Sequence, residues 1–227
     1  MGKNKENIYE SFLFVFILIF IGGFVNAYTY KLHGEYLASM NTGNMARMGI
    51  AITEHRIKDT GIYLMSICAN AFGAMMSFFL RQKISKGLVS KYYQRACLIA
   101  EFCIFIIIAF LPLSLPNFIV NFTISFTCGF QLASFTAWEG NVVATTLGSG
   151  NVRFLGEHLG NAIMFPSKKT IRTFILFLLI TTGFTIGVIV GVYAIELMSK
   201  YSIFIPAALV LVLMIIDNCI SKKIYQK

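Results

Sequence analysis

Charge is what this chain has least of. Only 13% of its 227 residues are Asp, Glu, Lys or Arg, about half the share in an ordinary soluble domain, so the chain cannot solvate a globular surface of its own. Histidine is scarce as well: His33, His55 and His158 are the only three, and none lies in an apolar run. Neither HExxH nor GxSxG occurs and no nucleophile stands beside a plausible base, which argues against metalloprotease and serine-hydrolase chemistry. The five cysteines, Cys68, Cys97, Cys103, Cys128 and Cys219, lack CxxC spacing and a nearby histidine. They read as small buried hydrophobes, with no metal site implied. No enzyme, metal or cofactor is expected. Alternating polar and apolar positions are missing too, which excludes a transmembrane β-barrel.

What is abundant is apolar sequence, 57% of the chain. It comes in runs long enough to cross a hydrocarbon core of roughly 30 Å, which takes about 20 helical residues. Six runs can be drawn: Ser11 to Tyr30, Gly61 to Leu80, Ala96 to Leu111, Asn117 to Trp138, Thr170 to Leu197 and Tyr201 to Cys219. The first is too long for a signal-peptide core and lacks a clear cleavage site, so it is expected to stay as a helix.

A net charge of +9 would suggest nucleic acid in a soluble protein, but beside apolar spans it reports orientation. With the N-terminus inside, the cytoplasmic segments hold Lys3, Lys5, Arg81, Lys83, Lys86, Lys91, Arg95, Arg153, Lys168, Lys169, Arg172, Lys222, Lys223 and Lys227. The other side holds Lys31, Arg47, Arg56, Lys58 and Lys200. Fourteen against five places both termini in the cytoplasm. The Arg81 to Arg95 cluster then serves topology and touches anionic headgroups, and no nucleic-acid partner is expected.

The two halves of the chain repeat one another. Gly23, Phe24, Ala27, Gly34 and Ala38 match Gly129, Phe130, Ala133, Gly140 and Ala144 without a gap. After one inserted residue, Gly43, Asn44 and Gly49 match Gly150, Asn151 and Gly156, with Thr42 opposite Ser149. Repeats of residues 11 to 112 and 117 to 219, each with three spans, must enter the membrane from opposite faces. The expected fold is therefore an all-α membrane protein, a single membrane domain over residues 1 to 227, built as two inverted three-helix repeats. Each repeat carries a short re-entrant or interfacial helix after its first span.

The runs GGFVNAYTY (22 to 30) and ASMNTGNMARMGIAI (38 to 52) resemble the signature of the YoaK-like family of bacterial membrane proteins, and the resemblance covers nearly the whole chain. It implies about six helices and a bacterial cytoplasmic membrane, and it brings no established activity. The polar position of the family's first motif is usually aspartate. Here it is Asn26, which removes a carboxyl that could carry a proton there.

The repeated motif offers the candidate site. Gly22, Gly23 and Gly129 either break their helices or let neighbours pack closely, since Gly23 with Ala27 and Gly129 with Ala133 form small-xxx-small pairs. Thr42 and Ser149 are natural N-caps, each leading into an amphipathic stretch: Met45, Met48 and Ile52 in one half, Val152, Leu155 and Leu159 in the other. Two readings stand. In one, the helix starts meet near the midplane and bind a small polar or anionic solute through backbone N–H groups freed by Gly43 and Gly150, the Asn44 and Asn151 amides, and Asn26 and Gln131 on the adjoining spans. As water-accessible donors, the two motif asparagines would then contribute little to stability. In the other, both segments are interfacial helices capped only for stability. Of the other polar span residues, Glu101 is expected to reach Arg95 and Asp217 to meet Lys222 or solvent, while Asn70 hydrogen-bonds between helices or lines a pathway. Gly183, Gly187 and Gly191 form a ladder suited to tight packing.

The leading expectation is a small secondary transporter or facilitator with its pathway between the repeats. The alternative is a non-catalytic sensor or assembly partner. The expected partners are the lipid bilayer and a small polar or anionic solute, and a homo-oligomer is compatible with everything above.

Overall fold

A computed structural model describes residues 8–84, 92–146 and 148–225. Lys3, Lys5, Lys86, Lys91 and Lys227 of the orientation argument lie outside these residues. Eight α-helices follow in order: α1 (Phe12–Leu32), α2 (Asn41–Thr53), α3 (Ile57–Ile84), α4 (Tyr92–Phe110), α5 (Asn117–Ser134), α6 (Gly148–Met164), α7 (Lys168–Met198) and α8 (Phe204–Tyr225). Two two-residue strands, β1 (Ala137–Trp138) and β2 (Asn141–Val142), pair antiparallel between α5 and α6.

Helix boundaries follow local chemistry. All four prolines stand where a helix begins or has ended: Pro112 and Pro116 between α4 and α5, Pro166 before α7, and Pro206 in the first turn of α8, where its missing N–H costs nothing. Ser167 caps α7 by accepting from the Thr170 N–H, while Thr170 Oγ1 accepts from the Ser167 N–H. The fourth apolar run ends sooner than its composition suggests. Helix α5 stops at Ser134, and Ala137 and Trp138 enter the hairpin, whose turn residues Glu139 and Gly140 both have positive φ as a two-residue turn requires.

Four segments among the described residues are long and apolar enough to cross a membrane: Phe12–Leu32, Ile57–Lys83, Tyr93–Phe110 and Lys168–Cys219, the last running through α7 and α8. Helix α5 is not among them, because Asn121, Ser125, Thr127 and Gln131 dilute its apolar character. All four are buried against other helices. Helix α1 is the innermost span, with 72% of its apolar window buried against 28% for Lys168–Cys219. Large side chains of the outer helices, such as Phe110, Ile189 and Ile215, face outward, as lipid-facing residues do.

Helix α1 packs on α7 and α5 on α3; α2 lies on α3 and α6 on α7; α4 lies on α5 and α8 on α1; α4 meets α8. Exchanging α1 to α4 with α5 to α8 leaves these pairings unchanged. Glycines bring two of these helix pairs into backbone contact. A Cβ on Gly23 would run into the Phe184 carbonyl and one on Gly187 into that of Phe20, while across the other pair Gly129 meets the Asn70 carbonyl and Gly73 that of Phe126. Helix α1 continues unbroken through Gly22 and Gly23, as α5 does through Gly129. Of the two readings of these glycines, the structure shows close packing and no helix break. Gly183 and Gly191 complete the ladder against Phe16 and Ala27.

Two expectations about polar and sulfur groups also change. Cys97 and Cys128 are buried, but Cys68, Cys103 and Cys219 lie on the outer surface, where a thiol is apolar enough to face lipid. Asp217, 1% exposed, pairs with Arg95 of α4 at 2.7 Å and accepts from the Tyr9 hydroxyl at 2.8 Å, so it does not face solvent; the Lys222 side chain of the sequence reading lies outside the described ones. Glu101 is buried in α4 with one carboxylate oxygen unpartnered among the described residues, because Arg95 is turned to Asp217.

Candidate functional site

The segments that follow α1 and α5 run inward and cross. Ser39 Oγ donates to the Thr146 carbonyl at 2.6 Å, and both residues are fully buried. The second segment passes directly over α1: a Cβ on Gly22 would stand 3.0 Å from Thr146 Cα and 3.1 Å from the Thr145 carbonyl. Helix α2 begins two residues after Ser39, and α6 two residues after Thr146. Two helix N-termini, the positive ends of their dipoles, therefore start from the crossing.

Asn26 of α1 holds one segment. Its Nδ2 donates to Gly22 O at 2.7 Å and to Ser39 Oγ at 2.6 Å, and its Oδ1 accepts from the Ser39 N–H at 3.2 Å. Gln131 of α5 reaches the other, its Nε2 donating to Leu18 O at 3.2 Å and Thr145 O at 3.5 Å. Asn26 and Gln131 thus belong to one buried polar cluster.

The motif asparagines do something else. Asn44 Nδ2 donates to the Leu37 carbonyl at 2.8 Å. Asn151 Nδ2 donates to the Ala144 carbonyl at 2.8 Å, and its Oδ1 accepts from the Ala144 N–H at 2.9 Å. Each side chain staples the backbone seven residues upstream, fixing the segment that leads into the crossing. Both are fully buried, so the expectation of water-accessible amides is corrected. Thr42 and Ser149 are exposed and lie inside their helices; Met40, with no side-chain bond, is the cap of α2. Gly43 and Gly150 are half-buried beside them, with Cβ room limited only by Met40 and Ala144. Replacing Asn44 or Asn151 by leucine is expected to cost about 1–3 kcal/mol each, the penalty of stranding part-buried backbone polar groups, with Asn151 the costlier because it holds both a backbone N–H and a backbone carbonyl, where Asn44 holds one carbonyl and a serine hydroxyl. Melting of the purified protein in detergent measures this. Unchanged melting would return both amides to the role of ligand donors.

A polar seam leads away from the crossing. Asn44 Nδ2 also donates to Ser66 Oγ at 3.3 Å, Ser66 and Ser125 hydroxyls lie 2.7 Å apart, and Asn70 Nδ2 donates to Ser125 O at 3.2 Å. Within this region Asn41 Oδ1, Asn44 Oδ1 and Thr145 Oγ1 are buried without a partner among the described residues. Buried polar atoms are normally satisfied, which sets these three apart from the bonded amides and hydroxyls around them.

Sequence reading missed Ser39, Thr145, Thr146, Ser66 and Ser125. The matching reach of Asn44 and Asn151 puts Leu37 opposite Ala144, and hence Ser39 opposite Thr146. The inserted residue therefore lies earlier than the sequence match placed it, and a hydroxyl in the same place in both halves was the available signal.

The histidines stand apart from the crossing. His33, just beyond α1, is buried, and burial pushes its imidazole below the usual histidine range. On the hairpin, the Arg172 guanidinium grips Glu139 through two bonds of 2.9 and 3.0 Å and holds its carboxyl below the usual carboxylate range. Among the described residues no group of three or more His, Cys, Asp or Glu side chains is placed to hold a metal ion.

Neither a curated protein nor a solved structure matches the chain. A family model does, over residues 14–216, and the resemblance seen in the sequence is consistent with it: the chain belongs to the family described as Protein of unknown function (DUF1275).

Proposed function

We propose that this protein is a small secondary transporter or facilitator for a small polar or anionic solute, its pathway running between two inverted repeats of three spans each. The observation that carries the reading is the Ser39–Thr146 contact, where two irregular segments meet inside the molecule and each starts a helix. Irregular backbone at membrane depth is tolerated where protein buries it or a cavity is lined by it, and paired half-helix starts are a recurring way to hold a polar solute. The exchange symmetry of the helix contacts supports the repeat. Helix α5 serves as the sixth span, its polar residues covered by α3 and α4.

The short helices support membrane depth. Met48 and Leu155 face the protein, while Met45, Ile52, Val152 and Leu159 of the same stripes point outward. Outward apolar residues on α2 and α6 suit lipid contact better than an aqueous surface.

Reconstituted into vesicles, the protein should raise the flux of some small polar or anionic solutes above that of empty vesicles. A Ser39→Leu, Thr146→Leu double variant should lose that flux. Vesicles no more permeable than empty ones across a broad solute panel would favour the sensor or assembly role instead. Orientation is checked separately by single-cysteine labelling, which should find positions near Lys223 on one side and near Glu54 on the other.

A further inference from the structure

The two halves differ sharply at one place, the wedge between the short helix and the long helix that follows it. In the second half rings fill the wedge: His158 of α6 lies on Phe177 of α7 at 4.3 Å, and Trp138 meets the same ring edge-on at 5.3 Å. The asparagine match sets Arg47 opposite Phe154 and Ala51 opposite His158; the glycine contacts set Tyr63 opposite Phe177. In the first half Ala51 is instead buried with Tyr36 and Tyr63, whose rings meet edge-on at 4.9 Å, and beside these rings lies an open cleft of about 310 Å³, lined by Glu35, Tyr36, Arg47, Arg56, Asp59 and Tyr63 among others.

The charges in that cleft are unevenly used. Arg56 is held by Glu54 at 2.8 Å and Asp59 at 2.6 Å, and Asp59 also accepts from the Tyr36 hydroxyl at 3.2 Å. Arg47 is different. Its Nη1 donates to the Glu35 carbonyl at 2.7 Å and its guanidinium lies 5.9 Å from the centre of the Tyr30 ring, but it forms no ion pair among the described residues. One edge of a planar fork is thus anchored to backbone while no carboxylate among the described residues lies within ion-pair distance of it, in a cleft within the size range of small-ligand sites.

We propose that this cleft binds an oxyanion through Arg47, either the phosphate of a lipid headgroup or phosphate free in solution. Two parallel N–H···O bonds from a guanidinium suit that geometry. The backbone anchor pre-sets the side chain, and Tyr63 closes the cleft floor. Glu35, the lining carboxylate without an ion pair, opposes the ligand and tunes its affinity. The proposal is independent of the transport reading, since it concerns one half only.

The test uses the full chain in detergent, with inorganic phosphate titrated calorimetrically and retained phosphatidylglycerol read by native mass spectrometry. Binding of phosphate identifies a soluble source; a phosphatidylglycerol adduct without phosphate binding identifies a headgroup. In either case Arg47→Gln should weaken binding at least tenfold, Glu35→Gln should strengthen it, and Arg153→Gln, an exposed arginine of α6, should do neither. Ile50→Trp, at an exposed lining position, should block the cleft even if Arg47→Gln folds poorly. Absence of both ligands from the parent protein, or binding that survives Ile50→Trp and Arg47→Gln, would overturn the assignment.

Discussion

Replacing Gly23 by valine is expected to leave no folded protein, and replacing it by alanine to cost roughly 1–3 kcal/mol or more. A Cβ at this position meets the Phe184 carbonyl oxygen, with the Phe184 carbonyl carbon at 2.9 Å and the Val188 nitrogen at 3.1 Å. These are backbone atoms of α7 and cannot rotate aside as a side-chain tip would. Gly187 answers from the other helix against Phe20, and the α3·α5 pair repeats the arrangement through Gly73 and Gly129, so the same loss is expected at all four positions. Gly49 is the control, since nothing lies within 4 Å of its Cβ position in the middle of α2. Gly49→Ala should be neutral or stabilising by about 1 kcal/mol, the ordinary helix preference for alanine. Melting of each variant in detergent checks the set. A Gly23→Val protein that melts with the parent would mean that α1 and α7 are not in this contact.

Replacing Arg95 by alanine should cost about 3–5 kcal/mol, because it strands a carboxylate that is 1% exposed. Among the described residues Asp217 then keeps the Tyr9 hydroxyl, too little to replace a cation. Adding Asp217→Asn to Arg95→Ala removes the uncompensated charge and should recover much of the loss. Asp217→Asn alone should cost less than Arg95→Ala, since the amide still accepts from Tyr9 and leaves a guanidinium that is about one-third exposed. The cycle, again read by melting, separates a structural ion pair from a coupling site. If the single Arg95→Ala change left stability intact, the pair would not be joining α4 to α8.

Long apolar runs were the most legible part of the sequence, because crossing a hydrocarbon core demands a length and composition that little else imitates. The run Thr170 to Leu197 became α7 within two residues at either end. The fourth run was overextended because Phe135 and Trp138 are as apolar as helix residues, although their backbone turns away to build the approach to the crossing. The match between the two halves of the sequence centres on Gly23 and Gly129 because backbone-to-backbone packing at both positions admits only glycine. What lay hidden depends on partners distant in the chain. Asp217 was matched to nearby Lys222, whereas its cation lies 122 positions away. The Ser39–Thr146 bond spans 107, and a lone hydroxyl in an apolar segment carries no mark of that role. Asn44 and Asn151 each bond the backbone seven residues upstream, but in sequence a repeated asparagine looks the same whether it serves a ligand or staples a loop.

The most direct test of the central claim is labelling of a single cysteine at Ser39, in a chain with the five native cysteines replaced, by a membrane-impermeant maleimide applied separately to each side of sealed vesicles. A pathway between the repeats predicts slow reaction from at least one side, at a rate that a transported solute changes, because a residue fully buried in this state must become wet as the pathway opens. No reaction from either side, with full reaction once the protein is denatured, would mean that the crossing is a sealed structural joint and would contradict the transport account.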